Sequence, residues 1–188
     1  LHDALPILIE SVDILKGPSS VLYGNGSPGG LVNIQGKKPQ TTPRTEVGFN
    51  TGTRNLKEGY LDSTGRIADS DWSYRLLGKA TEGDDQPYTS RTEDYLVAPS
   101  VTWQPSDKTR LTIDALAQNT PSLTPSNPLP LSYLRSSYAD KRDYAGDKWS
   151  GFKQRQWMVG YSFEHEFDSG WGIAQKARYF DIDTQDRK

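Results

Sequence analysis

ILKGPSSVLYGNGSPGGLVNIQGKKP, residues 14–39, is the stretch from which the fold is best predicted. It holds six glycines, three prolines and three lysines around two short apolar segments. Pro18 suits the first turn of a helix, where its missing N–H costs nothing, and Gly24 can adopt the left-handed conformation that ends such a turn. Residues 26–30 predict a tight reversal, and residues 31–34 predict a short strand. The local prediction is therefore strand, one helical turn, glycine-rich reversal and strand.

Gly24, Gly26 and Gly29 match the G-x-G-x-x-G pattern of dinucleotide-binding proteins literally. That pattern requires a strand before it and a helix that begins at its third glycine, so that the pyrophosphate meets a helix N-terminus. Here the predicted order is reversed, because a helical turn precedes the glycines and a strand follows them. No Gly-Lys-Ser/Thr occurs in the stretch, which excludes a P-loop. Local physics alone leaves a glycine-rich surface turn with no specific role as the other interpretation.

Two elements of this stretch resemble the end of the plug domain of TonB-dependent siderophore receptors of the bacterial outer membrane. The elements are K-G-P-x-S-x-L-Y-G and S-P-G-G-x-x-N, and they comprise Lys16, Gly17, Pro18, Ser20, Leu22, Tyr23, Gly24, Ser27, Pro28, Gly29, Gly30 and Asn33. The resemblance continues in residues 97–109 and 158–167, which are similar to early barrel strands of ferrichrome-type receptors, the hydroxamate branch. It implies that residues 1–40 are the C-terminal part of an α+β plug domain. Residues 41–188 are then the N-terminal part of an all-β transmembrane barrel, and we expect the chain to be an internal fragment of a receptor.

The composition agrees with a membrane barrel and excludes several other classes. Only 34% of the residues are hydrophobic, and no apolar run approaches the length of a membrane helix. Barrel strands alternate between lipid-facing and lumen-facing residues and so average to polar, while five tryptophans and ten tyrosines suit an aromatic girdle. The lack of cysteine excludes disulfides and thiolate metal sites, and a net charge of −2 gives no sign of nucleic-acid binding.

Seven segments alternate between apolar and polar side chains over about ten residues, the length that a tilted strand needs to cross a bilayer. The predicted strands contain residues 47–51, 60–67, 72–81, 95–103, 110–118, 157–167 and 171–179. The second is the weakest, because its alternate residues Leu61, Ser63 and Gly65 make a poor apolar face. In the sixth, Val159, Tyr161 and Phe163 are predicted to face lipid.

The connections between these strands alternate in length. Short turns are predicted at residues 68–71, 105–108 and 168–170, and long loops at residues 83–94 and 119–154, with residues 52–57 as a modest exception. Short turns on one side and long loops on the other are typical of outer-membrane barrels. A soluble β-sandwich binding module also has alternating strands, so the pattern alone leaves that fold open.

The resemblance also implies the function and its residues. It implies uptake of a ferric siderophore, with hydroxamates of the ferrichrome type favoured, driven by the energy-coupling protein TonB, whose box we expect outside this fragment. Lys16 matches a basic position near the bound siderophore. Aromatic side chains of the long loop could close over the ligand, or pack on one another as ordinary loop residues; these are Tyr133, Tyr138, Tyr144 and Trp149. The other expected partner is outer-membrane lipid, and we expect no nucleic acid, no cofactor and no protein-bound metal, because the iron is carried within the siderophore.

Catalysis finds little support in the sequence. His165 is predicted to share the apolar face of Phe163 and Phe167, where a girdle residue is expected rather than a base. Glu164 and Glu166 fall on the polar face, and paired carboxylates on a lumen-facing strand are usually solvated. We therefore predict no enzyme. The alternatives are a TonB-dependent receptor for another cargo, such as cobalamin or a glycan, a passive porin or adhesin barrel, and a soluble nucleotide enzyme.

Overall fold

The computed structural model describes residues 5–16, 30–84, 91–123, 132 and 151–187. The helix and strands are α1 (Leu5–Leu8), β1 (Ile9–Lys16), β2 (Gly30–Gly36), β3 (Arg44–Thr51), β4 (Lys57–Arg66), β5 (Trp72–Asp84), β6 (Arg91–Ser106), β7 (Thr109–Leu123), β8 (Gly151–Glu166) and β9 (Gly172–Arg187). No helix in these ranges is long and apolar enough to cross a membrane. The chain divides into two compact units, Leu1–Lys38 and Pro39–Lys188.

The first unit contains an antiparallel pair formed by β1 and β2. Its apolar side chains face each other in direct cross-strand pairs, Val12 with Ile34 and Ile14 with Val32, which is the arrangement that stabilises such pairs. The strands predicted before and after the glycine-rich reversal are thereby confirmed. The predicted helical turn and the reversal itself, residues 17–29, lie outside the described residues.

The second unit is a single antiparallel sheet in which β3 to β9 follow one another in chain order. Each strand pairs with its sequence neighbours, so every connection is a hairpin, and the register is continuous over most of β5 and β6, from Trp72 opposite Trp103 to Asp84 opposite Arg91. All seven predicted strands are present, including the weakest, which is β4. The alternating pattern of the sequence is therefore confirmed as a meander of seven strands.

Several strands are longer than the sequence predicts. β6, β8 and β9 each have 16 residues, and residues 91–94, 119–123 and 151–154, which were predicted as loop, belong to strands. The reason is that the outward face becomes charged there, for example at Glu93 and Arg155. Hydrophobic alternation ends at that level, whereas backbone pairing continues.

The connections at the two ends of the sheet differ as predicted. At one end, tight turns join β4 to β5, β6 to β7 and β8 to β9; the Ile67 N–H donates to the Trp72 carbonyl at 2.9 Å and the Phe167 N–H to the Trp171 carbonyl at 2.8 Å. Gly170 adopts φ = 81° in the last of these turns, a conformation that favours glycine. The connections of residues 85–90 and 124–150 leave from the opposite end, which is called the long-connection end below.

Tyr161 and Ser162 provide a test of the two faces of the sheet. They are adjacent on β8, but Tyr161 pairs with Ile113 and Ala177, whereas Ser162 pairs with Thr112 and Lys176. If the face of Tyr161 contacts lipid, as the resemblance implies, and Tyr161 lies near the midplane of the membrane, Tyr161→Arg should destabilise a full-length protein that contains this chain by about 2–4 kcal/mol. Ser162→Arg should have a much smaller effect. Equilibrium unfolding from lipid vesicles measures both, and equal penalties would contradict the assignment of the faces.

Candidate functional site

The two faces of the seven-stranded sheet have opposite chemistry, and the polar face is the more buried one. Residues directly opposite one another on neighbouring strands share a face, and the register places all the buried polar residues of the described chain on one face. These are Asp62, Thr64, Ser73, Arg75, Lys79, Thr81, Asp94, Thr102 and Thr112, and the buried hydrophobic residues beside them are Leu77 and Leu96. This face is called the polar face below. The buried residues of this face are mostly polar, whereas those in the core of a water-soluble protein are predominantly apolar.

Ion pairs neutralise the charges at the centre of the polar face. The Arg75 guanidinium binds Asp62 with two hydrogen bonds, from Nε to Oδ1 at 2.9 Å and from Nη2 to Oδ2 at 2.8 Å. The Arg75 side chain is only 3% exposed. A bidentate pair of this kind fixes both partners in position, because the guanidinium fork matches the two carboxylate oxygens.

A second ion pair lies closer to the long-connection end. Lys79 Nζ lies 3.0 Å from Glu58 Oε2, and the same oxygen accepts a hydrogen bond from the Thr81 hydroxyl at 3.1 Å. The Asn50 amide donates to the other oxygen of Glu58 at 3.0 Å. Three strands, β3, β4 and β5, are therefore tied together by the side chains that surround one carboxylate.

Gly160 allows an ion pair to form across three strands. It lies directly between Asp114 on β7 and Arg178 on β9, and Arg178 Nη2 reaches Asp114 Oδ2 at 3.3 Å over it. A Cβ on Gly160 would stand 3.3 Å from Arg178 Nε and 3.4 Å from Asp114 Oδ1. Glycine thus leaves the space through which these two side chains meet.

A fourth polar group lies at the long-connection end of β6, β7 and β8. Asp94 accepts hydrogen bonds from the Gln118 amide at 2.7 Å and from the Thr120 hydroxyl at 2.9 Å, both at Oδ1. The Gln156 side-chain amide in turn donates to the side-chain oxygen Oε1 of Gln118. Asp94 itself is 8% exposed. Sequence reasoning missed Asp62, Arg75 and Asp94, because their partners become neighbours only once the strand register is known.

The opposite face of the sheet is apolar and exposed. Its exposed large side chains include Val47, Phe49, Trp72, Leu76, Val97, Ile113, Trp157, Val159, Ile173 and Tyr179. Aromatic contacts lie at its border beside the tight turns. The ring centres of Trp72 and Trp103 are 6.3 Å apart there, and those of His165 and Phe167 are 4.5 Å apart. An apolar outer band with aromatic borders and a polar inner face is the wall of a membrane barrel. It argues against the soluble β-sandwich that the sequence alone left open.

The residues that were predicted from the sequence as site residues lie mostly outside the described part of the chain. Tyr133, Tyr138, Tyr144 and Trp149 are outside it, as are the plug-motif residues between positions 17 and 29. Lys16 ends β1 opposite Gly30, and its backbone alone is described. Asn33 on β2 donates to Asp13 Oδ2 at 3.3 Å. The grouping of these residues into one site therefore stays a prediction.

The residues considered for catalysis are consecutive on β8, and His165 faces away from the two glutamates. His165 is on the apolar face, stacked against Phe163 and edge-on to Phe167, and its Nδ1 lies 2.8 Å from the Thr109 hydroxyl. Glu164 and Glu166 lie on the other face of the same strand. In the described ranges, no three His, Cys, Asp or Glu side chains gather in a group that could hold a metal ion.

Known proteins are similar to this chain in both sequence and architecture. The model of the TonB-dependent receptor plug domain matches residues 3–31. The chain is 36% identical over 185 residues to the ferrichrome outer membrane transporter/phage receptor of Escherichia coli K12, with 95% of this chain and 25% of the relative covered. It is 33% identical over 180 residues to the ferrioxamine B receptor of Salmonella typhimurium, covering 93% of this chain and 26% of the relative. The chain belongs to the TonB-dependent receptors.

Solved structures of TonB-dependent receptors have the same fold as this chain. The closed form of the ferric-catecholate import receptor of Escherichia coli K12 matches with a TM-score of 0.82 at 22% identity, over 96% of this chain and 27% of that one. The pyoverdine receptor of Pseudomonas aeruginosa matches with a TM-score of 0.78 at 22% identity, over 93% of this chain and 26% of that one. The chain spans about a quarter of the length of its curated relatives. Its fold is thus part of a transmembrane β-barrel with plug sequence before it, and its location is the bacterial outer membrane.

The buried ion pair of the polar face gives a prediction for the stability of this wall. Asp62→Ala leaves the Arg75 guanidinium buried without its bidentate partner, so it should destabilise a full-length receptor that carries this chain by about 3–5 kcal/mol. The double variant Asp62→Leu/Arg75→Met removes both charges and should lose much less.

The matched control for this prediction is Asp168→Ala. Asp168 is the exposed partner of Lys108 in a tight turn, where an ion pair contributes little to stability. Denaturant unfolding in lipid vesicles gives all three values. If the double variant is as unstable as Asp62→Ala, the unpaired Arg75 charge is not the cause of the lost stability.

Proposed function

We propose that this chain is part of a receptor that carries a ferric siderophore across the outer membrane, driven by TonB. The observation that supports this most directly is the identity over nearly the whole chain with relatives named for ferrichrome and ferrioxamine. The cargo that we propose is accordingly a hydroxamate siderophore. The receptor needs no cofactor or metal of its own, because the iron enters bound within the siderophore.

In this proposal the two parts of the chain have different roles. Residues 1–40 belong to the plug that closes the barrel, and residues 41–188 form its first strands. The division into compact units falls close to this boundary, between Lys38 and Pro39. The siderophore binds on the extracellular side, where the long connections lie, and TonB acts on the plug to let it pass. The chain's contribution is to bind and gate, not to catalyse; the relatives described above are likewise named as transporters or receptors.

A receptor for another metal complex is the second candidate. The metal-pseudopaline receptor of Pseudomonas aeruginosa is 36% identical over 108 residues, or 57% of this chain. That identity covers less of the chain than the hydroxamate-receptor relatives do, which is why we favour a hydroxamate cargo. Growth of an iron-starved strain without its own siderophore receptors separates the two. With a full-length receptor that carries this chain, ferric trihydroxamates should restore growth, and deletion of TonB should abolish it. No growth with ferric trihydroxamates, together with receptor-dependent uptake of a non-hydroxamate metal complex, would favour the second candidate.

Lys16 is the residue through which we propose that the plug contacts the siderophore. It is a cation at the end of β1 and directly precedes the Gly17-Pro18 pair of the plug motif. Its ammonium can donate hydrogen bonds to the oxygen-rich shell of a ferric siderophore. Tyr133, Tyr138, Tyr144 and Trp149 of the long connection would supply apolar and hydroxyl contacts around the same ligand.

Replacing Lys16 tests its contact with the ligand. Lys16→Ala should weaken siderophore binding by about 1.5–3 kcal/mol, the usual contribution of a hydrogen bond to a charged group. Lys16→Arg should be neutral or tighter, because arginine adds a second donor. Equilibrium binding of iron-loaded siderophores to the detergent-purified receptor measures the effect, and Lys108→Ala at a tight turn is the control. If Lys16→Ala binds every siderophore as well as the original receptor, Lys16 is a structural residue of the plug.

A further inference from the structure

Asp94 stands out among the buried charges of the polar face because it forms no ion pair with any residue that the structure describes. Arg75 is paired with Asp62, Lys79 with Glu58, and Arg178 with Asp114. Asp94, at 8% exposure, is about as buried as the Asp62–Arg75 pair, whereas Asp114 and Arg178 are more exposed. Within the described chain, its hydrogen bonds come from two neutral groups, the Gln118 amide and the Thr120 hydroxyl. A carboxylate withdrawn from water without a cation is costly unless something else compensates its charge.

The two donors leave half of the carboxylate available. Both bonds, at 2.7 and 2.9 Å, end on Oδ1, and an ionised carboxylate can accept about four hydrogen bonds in all. Oδ2 accepts none from the described residues. Because buried polar atoms in folded proteins are nearly always hydrogen-bonded, an acceptor of this kind calls for an explanation.

A hydrogen-bonded chain fixes the orientation of the Asp94 carboxylate. The Gln156 side-chain amide donates to Oε1 of Gln118. The other atom of the Gln118 side-chain amide, Nε2, is thereby directed to Asp94. The chain crosses β8, β7 and β6 in turn, and the backbone ladder of the three strands holds its members in place. Asp94 is therefore a preorganised acceptor and has little freedom to turn toward another partner.

The position of Asp94 is at the mouth of the barrel wall. It is the fourth residue of β6, which follows the connection of residues 85–90, and Gln118 and Thr120 are near the end of β7 before residues 124–150. On the outer face at the same level, Tyr95 donates to Glu82 at 2.8 Å and Arg91 pairs with Glu82 and Glu93. Charged side chains there mark the border of the apolar band. Long connections face the extracellular side in such barrels, so the polar face offers Asp94 to cargo that arrives from outside.

We propose that Asp94 binds a cationic group of the cargo, a primary ammonium, and so favours ferric trihydroxamates that carry a pendant ammonium over neutral ones. This inference rests on the proposed function. An ammonium is compact and presents three donors on a flexible stem, which suits a carboxylate of low exposure better than a broad planar guanidinium does. The ammonium donates to Oδ2 of Asp94, while Gln118 and Thr120 retain their hydrogen bonds to Oδ1.

The test compares one ligand in two charge states. A linear ferric trihydroxamate that ends in a primary ammonium and its N-acetylated form are titrated into a purified full-length receptor that carries this chain. The ammonium form should bind about tenfold or more tightly, as expected for a charge-assisted hydrogen bond. Asp94→Asn should remove most of this preference by weakening the ammonium form alone. Glu93→Gln is the matched control, because it removes the same charge from the neighbouring residue on the opposite face.

The outcomes separate this inference from the proposed function. Equal binding of the two forms by the original receptor refutes the role of Asp94 and leaves hydroxamate uptake standing, whereas binding of neither form refutes both. Equal weakening of the two forms by Asp94→Asn also refutes the inference, since it would make Asp94 a structural residue. If Asp94→Asn does not fold, the original receptor still decides the matter. Equal binding of the two forms by the original receptor then contradicts the ionic contact, whereas salt would screen a contact of such low exposure only weakly.

Discussion

Backbone hydrogen bonding in hydrocarbon is the constraint on which the rest of this chain depends. A bilayer offers no water to unpaired N–H and C=O groups, so a chain that crosses it with strands must pair them with neighbouring strands. The sheet from β3 to β9 does so with hairpin connections throughout. Once that ladder is set, the period of two along each strand assigns every side chain to lipid or to the lumen. A slip of one residue would exchange the two sets, and Arg75 would face lipid.

The polar face follows from the ladder but has its own energetic demands. Charges on the inner side of a barrel wall are shielded by neighbouring strands, as the low exposure of Arg75 and Lys79 shows. Buried charges are tolerated when they are paired and hydrogen-bonded, and the pairs here link adjacent strands: Asp62 with Arg75, and Glu58 with Lys79. Such pairs add specificity of register, because only one alignment of β4 and β5 brings them together.

The sequence predicted the strands well, because hydrophobic alternation and the period of a strand coincide. β8 was found from Trp157, Val159, Tyr161 and Phe163 alone, and the tight turn at Gly170 from its composition. The extensions of β6 to β9 were missed, since the outward face becomes charged beyond the apolar band, and in β9 the apolar residues Phe180 and Ile182 fall on the opposite face. The contacts of Asp94 with Gln118 and Thr120 were missed for a different reason. Gln118 stands opposite Leu96 and is thus diagonal to Asp94, and Thr120 lies where the register shifts between Glu93 and Tyr95, so neither contact can be read from the sequence alone.

The distribution of charge along the polar face connects the fold to its use. Toward the tight turns the inner wall is held by neutral contacts such as that between the Thr102 and Thr112 hydroxyls at 2.9 Å. Closer to the long-connection end, Asp62 neutralises the charge of Arg75, and Glu58 neutralises that of Lys79. At the long-connection end, the hydrogen bonds to Asp94 come from neutral donors, and no cation of the described residues neutralises its charge. Among the described residues, the buried charges of the polar face are thus in ion pairs except for Asp94, which lies at the level where we propose that a cationic group of the cargo binds.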